Sequence, residues 1–157
     1  MMSALQIREF QPGDEAAFRD LNVEWIERFF RIEAPDEAVL SNPQTAILDS
    51  GGRIFFAVRD GQCIGCCALL RTGEHEFEVA KMAVTPAAQG SGAGRAILTA
   101  VIEEARRIGA RRLFLETNRV MAPAIHLYES LGFRHIPADR VQPSSYARSD
   151  VAMEFFL

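Results

Sequence analysis

Short segments in which apolar and polar residues alternate recur along the chain, and this spacing predicts β-strands. The expected strands cover residues 5–10, 54–59, 63–71, 77–84, 112–117, 133–137 and 150–157. Asp60-Gly61 stands between two of these strands and is typical of a tight hairpin turn. Residues 46–48, followed by Gly51-Gly52, predict a further strand edge and a turn.

Other segments carry apolar residues at helical spacing. The first helix is expected to begin after Asp14 as its N-cap and to end before Pro35, and a short helix over 36–41 follows it. Its apolar stripe comprises Phe18, Leu21, Trp25, Phe29 and Ile32. A second long helix ends at Gly109, and a third covers 123–131. Because strands and helices alternate without a linker or a repeat, the pattern predicts one mixed α/β domain over residues 1–157.

The composition narrows the functional classes. The chain has 157 residues, of which 48% are hydrophobic and 24% are charged, as in an ordinary soluble globular protein. No apolar run approaches the length of a bilayer span, and the first ten residues lack a signal-peptide pattern, so we expect a cytoplasmic protein with no membrane partner. The net charge of −4 argues against nucleic-acid binding. The acidic first 50 residues favour a cationic substrate and leave a more basic remainder for an anionic cofactor.

Three cysteines form a C-x-x-C pattern at Cys63, Cys66 and Cys67. Regular strand alternation would place Cys63 and Cys66 on opposite faces of the sheet, which suits neither one metal ion nor one disulfide. There is no second ligand pair in the sequence, and its three histidines are isolated from one another. We therefore expect buried free thiols and no metal site.

A glycine-rich turn, Gln89-Gly90-Ser91-Gly92-Ala93-Gly94, lies between a predicted strand and a predicted helix. This arrangement is typical of phosphate binding, because the first N–H groups of a helix lack partners and attract an anion. A P-loop requires Lys and then Ser or Thr after its last glycine, whereas Arg95 and Ala96 follow here. A dinucleotide fingerprint beginning at Gly90 would require glycine at position 95. The pattern that remains is Q/R-x-x-G-x-G/A.

Two segments of the chain resemble motifs of the GNAT acetyltransferase superfamily. Residues 78–98, which include the glycine-rich turn, are similar to its acetyl-CoA motif, and residues 123–133 are similar to its Ala…Leu-Tyr…Gly-Phe motif. The order of elements agrees over nearly the whole chain, although the first 50 residues match only in outline. The resemblance implies a mixed, mostly antiparallel central sheet of six to seven strands flanked by about four helices. It also implies acetyl-CoA or coenzyme A as co-substrate without a metal, a small-molecule or peptide amine as acceptor, and a homodimer.

The resemblance also assigns the cofactor residues. It implies that the pyrophosphate of coenzyme A sits on the backbone N–H groups of the turn, namely Gln89, Gly90, Ser91, Gly92, Ala93, Gly94 and Arg95. The pantetheine arm would pair with the strand residues Met82, Ala83 and Val84, which also suit the core. An asparagine common in the family is replaced by Met121, and Asn118 is either its substitute or a turn residue.

The catalytic assignment follows the same resemblance. Glu78 is the expected base, with Glu76 as the second choice, and the Met82 backbone N–H is the expected oxyanion donor. A regular strand would put the Glu78 side chain on the same face as those of Met82 and Val84, and a bulge would break that parity. Tyr128 is the expected acid to the thiolate, although it also lies on an apolar helical stripe that suits the core.

The acceptor is expected between the early helices and the last strands. Phe30, Glu33, Tyr146 and Arg148 are the substrate-binding candidates there, and nothing in the sequence identifies the amine. A second function stays open: a domain that binds coenzyme A as a sensor or as a partner-binding module, without turning it over.

Overall fold

The computed structural model describes residues 4–157 as a seven-stranded sheet with helices on both faces. The strand order is β1-β2-β3-β4-β5-β7-β6. The strands are β1 (Gln6–Glu9), β2 (Arg53–Arg59), β3 (Gln62–Arg71), β4 (Glu76–Val84), β5 (Arg112–Thr117), β6 (Arg134–His135) and β7 (Val151–Phe156). The α-helices are α1 (Glu15–Phe29), α2 (Ala34–Leu40), α3 (Ala93–Arg107) and α4 (Ala122–Leu131). The predicted mixed, mostly antiparallel sheet is confirmed.

The pairing of β4 with β5 creates an opening in the sheet. Among the described residues this is the one parallel pair, and its register covers only Glu76–Glu78 against Arg112–Phe114. β4 continues to Val84 and β5 to Thr117, but beyond Glu78 and Phe114 the two strands do not pair with each other. The two strands therefore separate beyond Glu78 and leave a cleft between them.

Each face of the sheet has its own apolar core. Helices α3 and α4 cover one face, which we call the α3 face, where Ile97, Val101 and Tyr128 are buried against the strands. Helices α1 and α2 cover the other, the α1 face, with Phe18 and Leu40 in its core. The helical stripes read from the sequence thus bury against opposite sides of one sheet, as amphipathic helices do.

A β-bulge at Lys81 breaks the parity that a regular β4 would have. Cys66 pairs with Ala83 and Ala68 with Ala80, so β4 carries one residue more than β3 between these pairs. Lys81 has a φ of 53°, in the left-handed region. Val79 packs on the α3 face before the bulge, and the even-numbered Met82 and Val84 pack there after it. The expectation that the Glu78 side chain shares a face with those of Met82 and Val84 is therefore wrong.

A second bulge changes the interpretation of the cysteines. Ala57 pairs with Gly65 and Val58 with Cys63, which leaves Ile64 as the extra residue of β3. Cys63 and Cys66 consequently pack on the same α1 face, so the argument that placed them on opposite faces is wrong. All three cysteines are free thiols; Cys66 and Cys67 are buried and Cys63 is partly exposed.

Some predicted elements differ from the structure. Residues 46–48 lie in a short π-helical turn, Gln44–Leu48, and not at a strand edge. The predicted strand over 133–137 is reduced to the two residues of β6. Helix α1 ends at Phe29, because the chain turns there instead of continuing the helix to Ile32. Phe29 is therefore 46% exposed and does not join the buried stripe. Asp14 stands at the N-cap, but its carboxylate binds Arg8 and the Gln11 N–H instead of capping the helix.

No helix within residues 4–157 is long and apolar enough to cross a membrane.

Candidate active site

The cleft between β4 and β5 brings together most of the predicted site residues. Glu78, Met82 and Tyr128 all line it. On the α1 face the cleft is bounded by Trp25 of α1 and by Phe30, the residue that follows this helix. Further lining comes from the end of β5 and from the loop before β7, through Glu116, Asn118, Tyr146 and Arg148.

The glycine-rich turn adjoins this cleft and forms the start of α3. Gly90 and Gly92 have φ values of 80° and 88°, a conformation that glycine adopts without strain. The first hydrogen bond of the helix runs from the Ala96 N–H to the Gly92 carbonyl at 3.0 Å. The N–H groups of Ala93, Gly94 and Arg95 precede that bond and have no intrahelical partner, so they are available to an anion.

Two N–H groups of the predicted anion cradle are already engaged. The Gln89 N–H donates to the Pro86 carbonyl at 3.3 Å, and the Ser91 N–H donates to the Ala88 carbonyl at 3.2 Å. These bonds close the turn and shape it. Of the predicted cradle, the N–H groups of Ala93, Gly94 and Arg95 at the start of α3 stay available, and phosphate binding there stays a prediction.

Side chains of the turn stabilise its position. Gln89 Nε2 donates to the Val84 carbonyl at 3.3 Å, and the Arg95 guanidinium donates to Ser130 Oγ at 2.7 Å. A Cβ atom at Gly94 would lie 3.0 Å from Met82 Cε, whereas Cβ atoms at Gly90 and Gly92 would meet no atom within 4 Å. Open space thus remains beside the two left-handed glycines, as a bulky phosphate requires.

Tyr128 lies in the core of the α3 face and also borders the cleft. Its ring packs edge-on against Phe133, with centroids 5.9 Å apart. Burial raises the pKa of the Tyr128 phenol, so the hydroxyl keeps its proton at neutral pH. Within residues 4–157 this hydroxyl has no hydrogen-bond partner, so it is available to donate to a ligand.

Glu78 projects from β4 towards the α1 face of the cleft, beside Glu116 of β5. Burial and, to a smaller extent, the nearby Glu116 carboxylate raise the pKa of Glu78 to about 7, against the opposing effect of Lys81. A carboxyl group with such a pKa exchanges its proton near neutral pH, as a general base must.

Met82 follows directly on the bulged Lys81. Neither residue has a register partner in β3 or β5. The backbone beside the cleft is therefore open to a ligand that hydrogen-bonds along β4, in the manner of an added strand.

Both the nitrogen and the oxygen of the Asn118 side-chain amide form hydrogen bonds within the chain. Its Nδ2 donates to the Arg148 carbonyl at 2.8 Å, and its Oδ1 accepts from the Val120 N–H at 2.9 Å. These bonds tie the end of β5 to the loop before β7. The turn interpretation of Asn118 accounts for them, and its part in cofactor binding stays a prediction.

The four predicted acceptor residues lie together. Phe30, Tyr146 and Arg148 line the cleft, and Glu33 contacts the loop that carries Tyr146 and Arg148. The Glu33 carboxylate accepts from the Ala147 N–H at 2.8 Å and contacts the Arg148 guanidinium at 3.5 Å.

Three residues of this region were not singled out from the sequence: Asp36, Lys81 and Glu116. Asp36 and Lys81 form a buried ion pair of 2.8 Å. A lysine within the otherwise apolar run of residues 79–84 was the available signal for Lys81. Nothing marked Asp36, which follows Pro35 in a segment of ordinary helical composition.

Within the described part of the chain, no group of three or more His, Cys, Asp or Glu side chains is arranged to hold a metal ion.

Comparison with known proteins identifies the class of this fold and site. The model of the Acetyltransferase (GNAT) family matches residues 16–133. The chain belongs to the GNAT acetyltransferases, a family of acetyl-CoA-dependent acyltransferases. The predicted resemblance is thereby confirmed.

Individual relatives agree with this assignment. An IAA acetyltransferase of Azospirillum brasilense is 39% identical over 82 residues, which cover 52% of this chain and 54% of that protein. The chain spans about a third to a half of the length of the curated relatives it matches.

Solved structures share the fold over nearly the whole chain. A GNAT family acetyltransferase from Staphylococcus aureus Mu50 aligns with a TM-score of 0.87 at 19% identity, covering 96% of this chain and 98% of that one. A GNAT family acetyltransferase from Elizabethkingia anophelis with acetyl-CoA bound aligns with a TM-score of 0.73 at 19% identity, covering 98% of each chain.

Proposed function

We propose that this protein is an N-acetyltransferase that transfers the acetyl group of acetyl-CoA to an amine by direct attack on the thioester. One observation carries the proposal: a single cleft contains a carboxyl group with a pKa near 7, a protonated tyrosine and an unpaired strand segment, next to a helix start built for an anion. Family membership supports the same chemistry.

The chain's own groups fit coenzyme A without a metal ion. The N–H groups of Ala93, Gly94 and Arg95 would hold the pyrophosphate, helped by the partial positive charge at the start of α3. The unpaired backbone of β4 at Met82 would bond the pantetheine arm, whose thioester supplies the acetyl group. The Tyr128 hydroxyl would then face the sulfur from the opposite side of the cleft.

Glu78 would act as the base. An alkylamine with a pKa near 10 is mostly protonated at neutral pH, and only its neutral form attacks a thioester. Because the pKa of Glu78 is about 7, its carboxylate is available near neutral pH and accepts a proton more readily than an ordinary glutamate. The side chain lies on the α1 face, where Phe30, Tyr146 and Arg148 would bound the acceptor.

Two further groups would stabilise the charge that moves during transfer. The N–H of Met82, a residue without a register partner in β3 or β5, would donate to the thioester oxygen as negative charge develops there. The Tyr128 hydroxyl would give its proton to the departing thiolate. A phenol is protonated at neutral pH even at its ordinary pKa of about 10, so the proton is present beforehand.

The acceptor is a small-molecule or peptide amine in this proposal. The family relatives named above include an IAA acetyltransferase, but the chain covers only part of that protein.

The test combines binding with turnover. A thermal-shift titration with coenzyme A and acetyl-CoA is expected to raise the melting temperature, and thiol release over a panel of amines is expected to identify the acceptor. Stabilisation by coenzyme A without thiol release on any amine would favour the non-catalytic sensor or partner-binding module. No stabilisation at millimolar ligand would contradict both functions.

A further inference from the structure

The α1 face of the cleft contains a buried ion cluster, defined here as Asp36, Lys81 and Arg148. The Asp36 carboxylate accepts from Lys81 Nζ at 2.8 Å and from both terminal guanidinium nitrogens of Arg148 at 2.7 and 2.8 Å. It also accepts from the Glu33 N–H at 2.9 Å. Asp36 is fully buried, and the side chains of Lys81 and Arg148 are 5% and 12% exposed. One carboxylate thus fixes two cations from distant parts of the chain.

Those two cations hold the aromatic side chains of the cleft. The Arg148 guanidinium carbon lies 4.5, 5.5 and 6.0 Å from the ring centroids of Tyr146, Trp25 and Phe30. Lys81 Nζ lies 4.6 Å from the Tyr146 ring centroid and donates to the Tyr146 hydroxyl at 3.0 Å. Cations stacked on aromatic faces are attracted to them, so the positions of these rings depend on where the two charges are held.

Lys81 also connects the ion cluster to the β4 bulge. Its φ of 53° is strained for a residue with a side chain, and such a conformation persists only where its surroundings fix it. The ion pair with Asp36 supplies that fixation from α2. The next residue is Met82, whose N–H is the proposed oxyanion donor, so the ion cluster reaches both the acceptor wall and the backbone beside the thioester.

An ion cluster this deeply buried is a poor source of stability, because desolvation of the charges offsets much of their attraction. Its geometry explains its presence better. We propose that Asp36 is a positioning residue of the acceptor site, which acts by holding Lys81 and Arg148 and, through them, the aromatic wall formed by Trp25, Phe30 and Tyr146. This inference rests on the proposed acetyltransferase function.

Asp36→Asn tests the proposal, with Glu37→Gln as its matched control. Asparagine keeps the size of the side chain but removes the charge that both cations share. Glu37 is the next residue of α2 and makes an exposed ion pair with Arg19 at 2.9 Å, away from the cleft. We expect Asp36→Asn to raise the KM for the acceptor amine about tenfold or more, because small displacements of positioning groups have large effects. We expect the KM for acetyl-CoA to change less than about threefold, and the fall in kcat to be smaller than the rise in the acceptor KM, because the ion cluster reaches the Met82 backbone only through Lys81.

A second readout does not require turnover. Trp25 is the one tryptophan of the sequence, and its ring lies against Arg148. Acrylamide quenching of its fluorescence is expected to increase in Asp36→Asn and to stay unchanged in Glu37→Gln. If the wild-type protein acetylates no amine, the proposed function fails, whereas the fluorescence still reports on whether Asp36 holds the wall.

Lys81→Met provides the same test with less risk to folding, because Asp36 keeps both hydrogen bonds to Arg148. We expect this variant to raise the acceptor KM, because Tyr146 loses its contact and its hydrogen bond to Lys81, whereas Trp25, which lies against Arg148, keeps nearly wild-type quenching. A folded Asp36→Asn protein with wild-type acceptor KM and wild-type quenching would overturn the proposal, and so would a folded Lys81→Met protein with wild-type acceptor KM. An equal loss of affinity for coenzyme A and for the acceptor would also overturn it, since that pattern indicates general damage to the fold.

Discussion

Replacement of Glu78 by glutamine is expected to stabilise the protein at alkaline pH while it removes activity. Glutamine resembles the protonated carboxyl group in shape and carries no charge. In the folded protein the pKa of Glu78 is about 7 because burial and the neighbouring Glu116 disfavour the charged form, whereas an ordinary glutamate has a value of 4.5. The folded state therefore binds this proton more tightly than the unfolded chain does.

The sign and size of the effect follow from that difference. As the pH rises from 4.5 to about 7, the unfolded chain loses the proton first, so the wild-type protein loses stability over this window. The loss amounts to at most about 3 kcal/mol at 1.36 kcal/mol per pH unit. Glu78→Gln does not lose this stability, because glutamine has no proton to release in this pH range. We expect equal stability of the two proteins near about pH 4, and a variant more stable by up to about 3 kcal/mol near about pH 8.

Thermal unfolding of both proteins across this pH range measures the effect. For a chain of this length the gain corresponds to roughly 6–12 °C in Tm. Glu76→Gln is the control, because Glu76 lies two residues earlier on β4 but is exposed and paired with Arg112.

In parallel, kcat/KM of the wild type should rise with pH through about 7, and Glu78→Gln should lose about a hundredfold or more in rate. A Tm difference that does not depend on pH would refute the argument from burial, and wild-type turnover in Glu78→Gln would refute the role as base.

Three other substitutions test separate parts of the site and fold. Tyr128→Phe is expected to reduce kcat about tenfold or more without weakening coenzyme A binding, and wild-type thiol release would contradict its role as acid. Gly92→Ala places a Cβ at a φ of 88°, which costs about 1–2 kcal/mol, and should weaken coenzyme A binding in a thermal-shift titration; unchanged affinity would contradict the cradle. Gly132→Ala places a Cβ at a φ of 110° and within 2.8 Å of Phe155 Cε2, so unfolding should show a loss of about 1–3 kcal/mol, and a wild-type Tm would contradict both the backbone strain and the close contact.

Local patterns in the sequence predicted most of the secondary structure. The alternating segments became the strands of the sheet, and the stripe over Ile97, Val101 and Ala105 became the buried face of α3. Glycine positions were equally informative, because left-handed backbone at Gly92 and Gly132 marks the start of one helix and the end of another. The prediction of secondary structure failed where a short apolar stretch is compatible with either a strand or a helical turn, as at the π-helical turn Gln44–Leu48.

The side of the sheet on which the Glu78 carboxylate lies could not be read from the sequence. Alternation predicts faces only as long as a strand is regular, and an extra residue reverses the parity of everything after it. The bulge at Lys81 follows from the register between β3 and β4, which depends on contacts between the two strands. The structure consequently separates the face of Glu78 from that of Met82, and it places the candidate base with the acceptor residues.

By itself, the sequence determined the family, the strand–turn–helix unit and the tyrosine of the second motif, because each is encoded in contiguous residues. The tertiary structure decided what depends on distant residues meeting. It opened the cleft by ending the pairing of β4 and β5 at Glu78, raised the pKa of that residue by burial, and joined Asp36 to Lys81 and Arg148. Burial and long-range electrostatics are properties of the packed chain, and no local pattern specifies them.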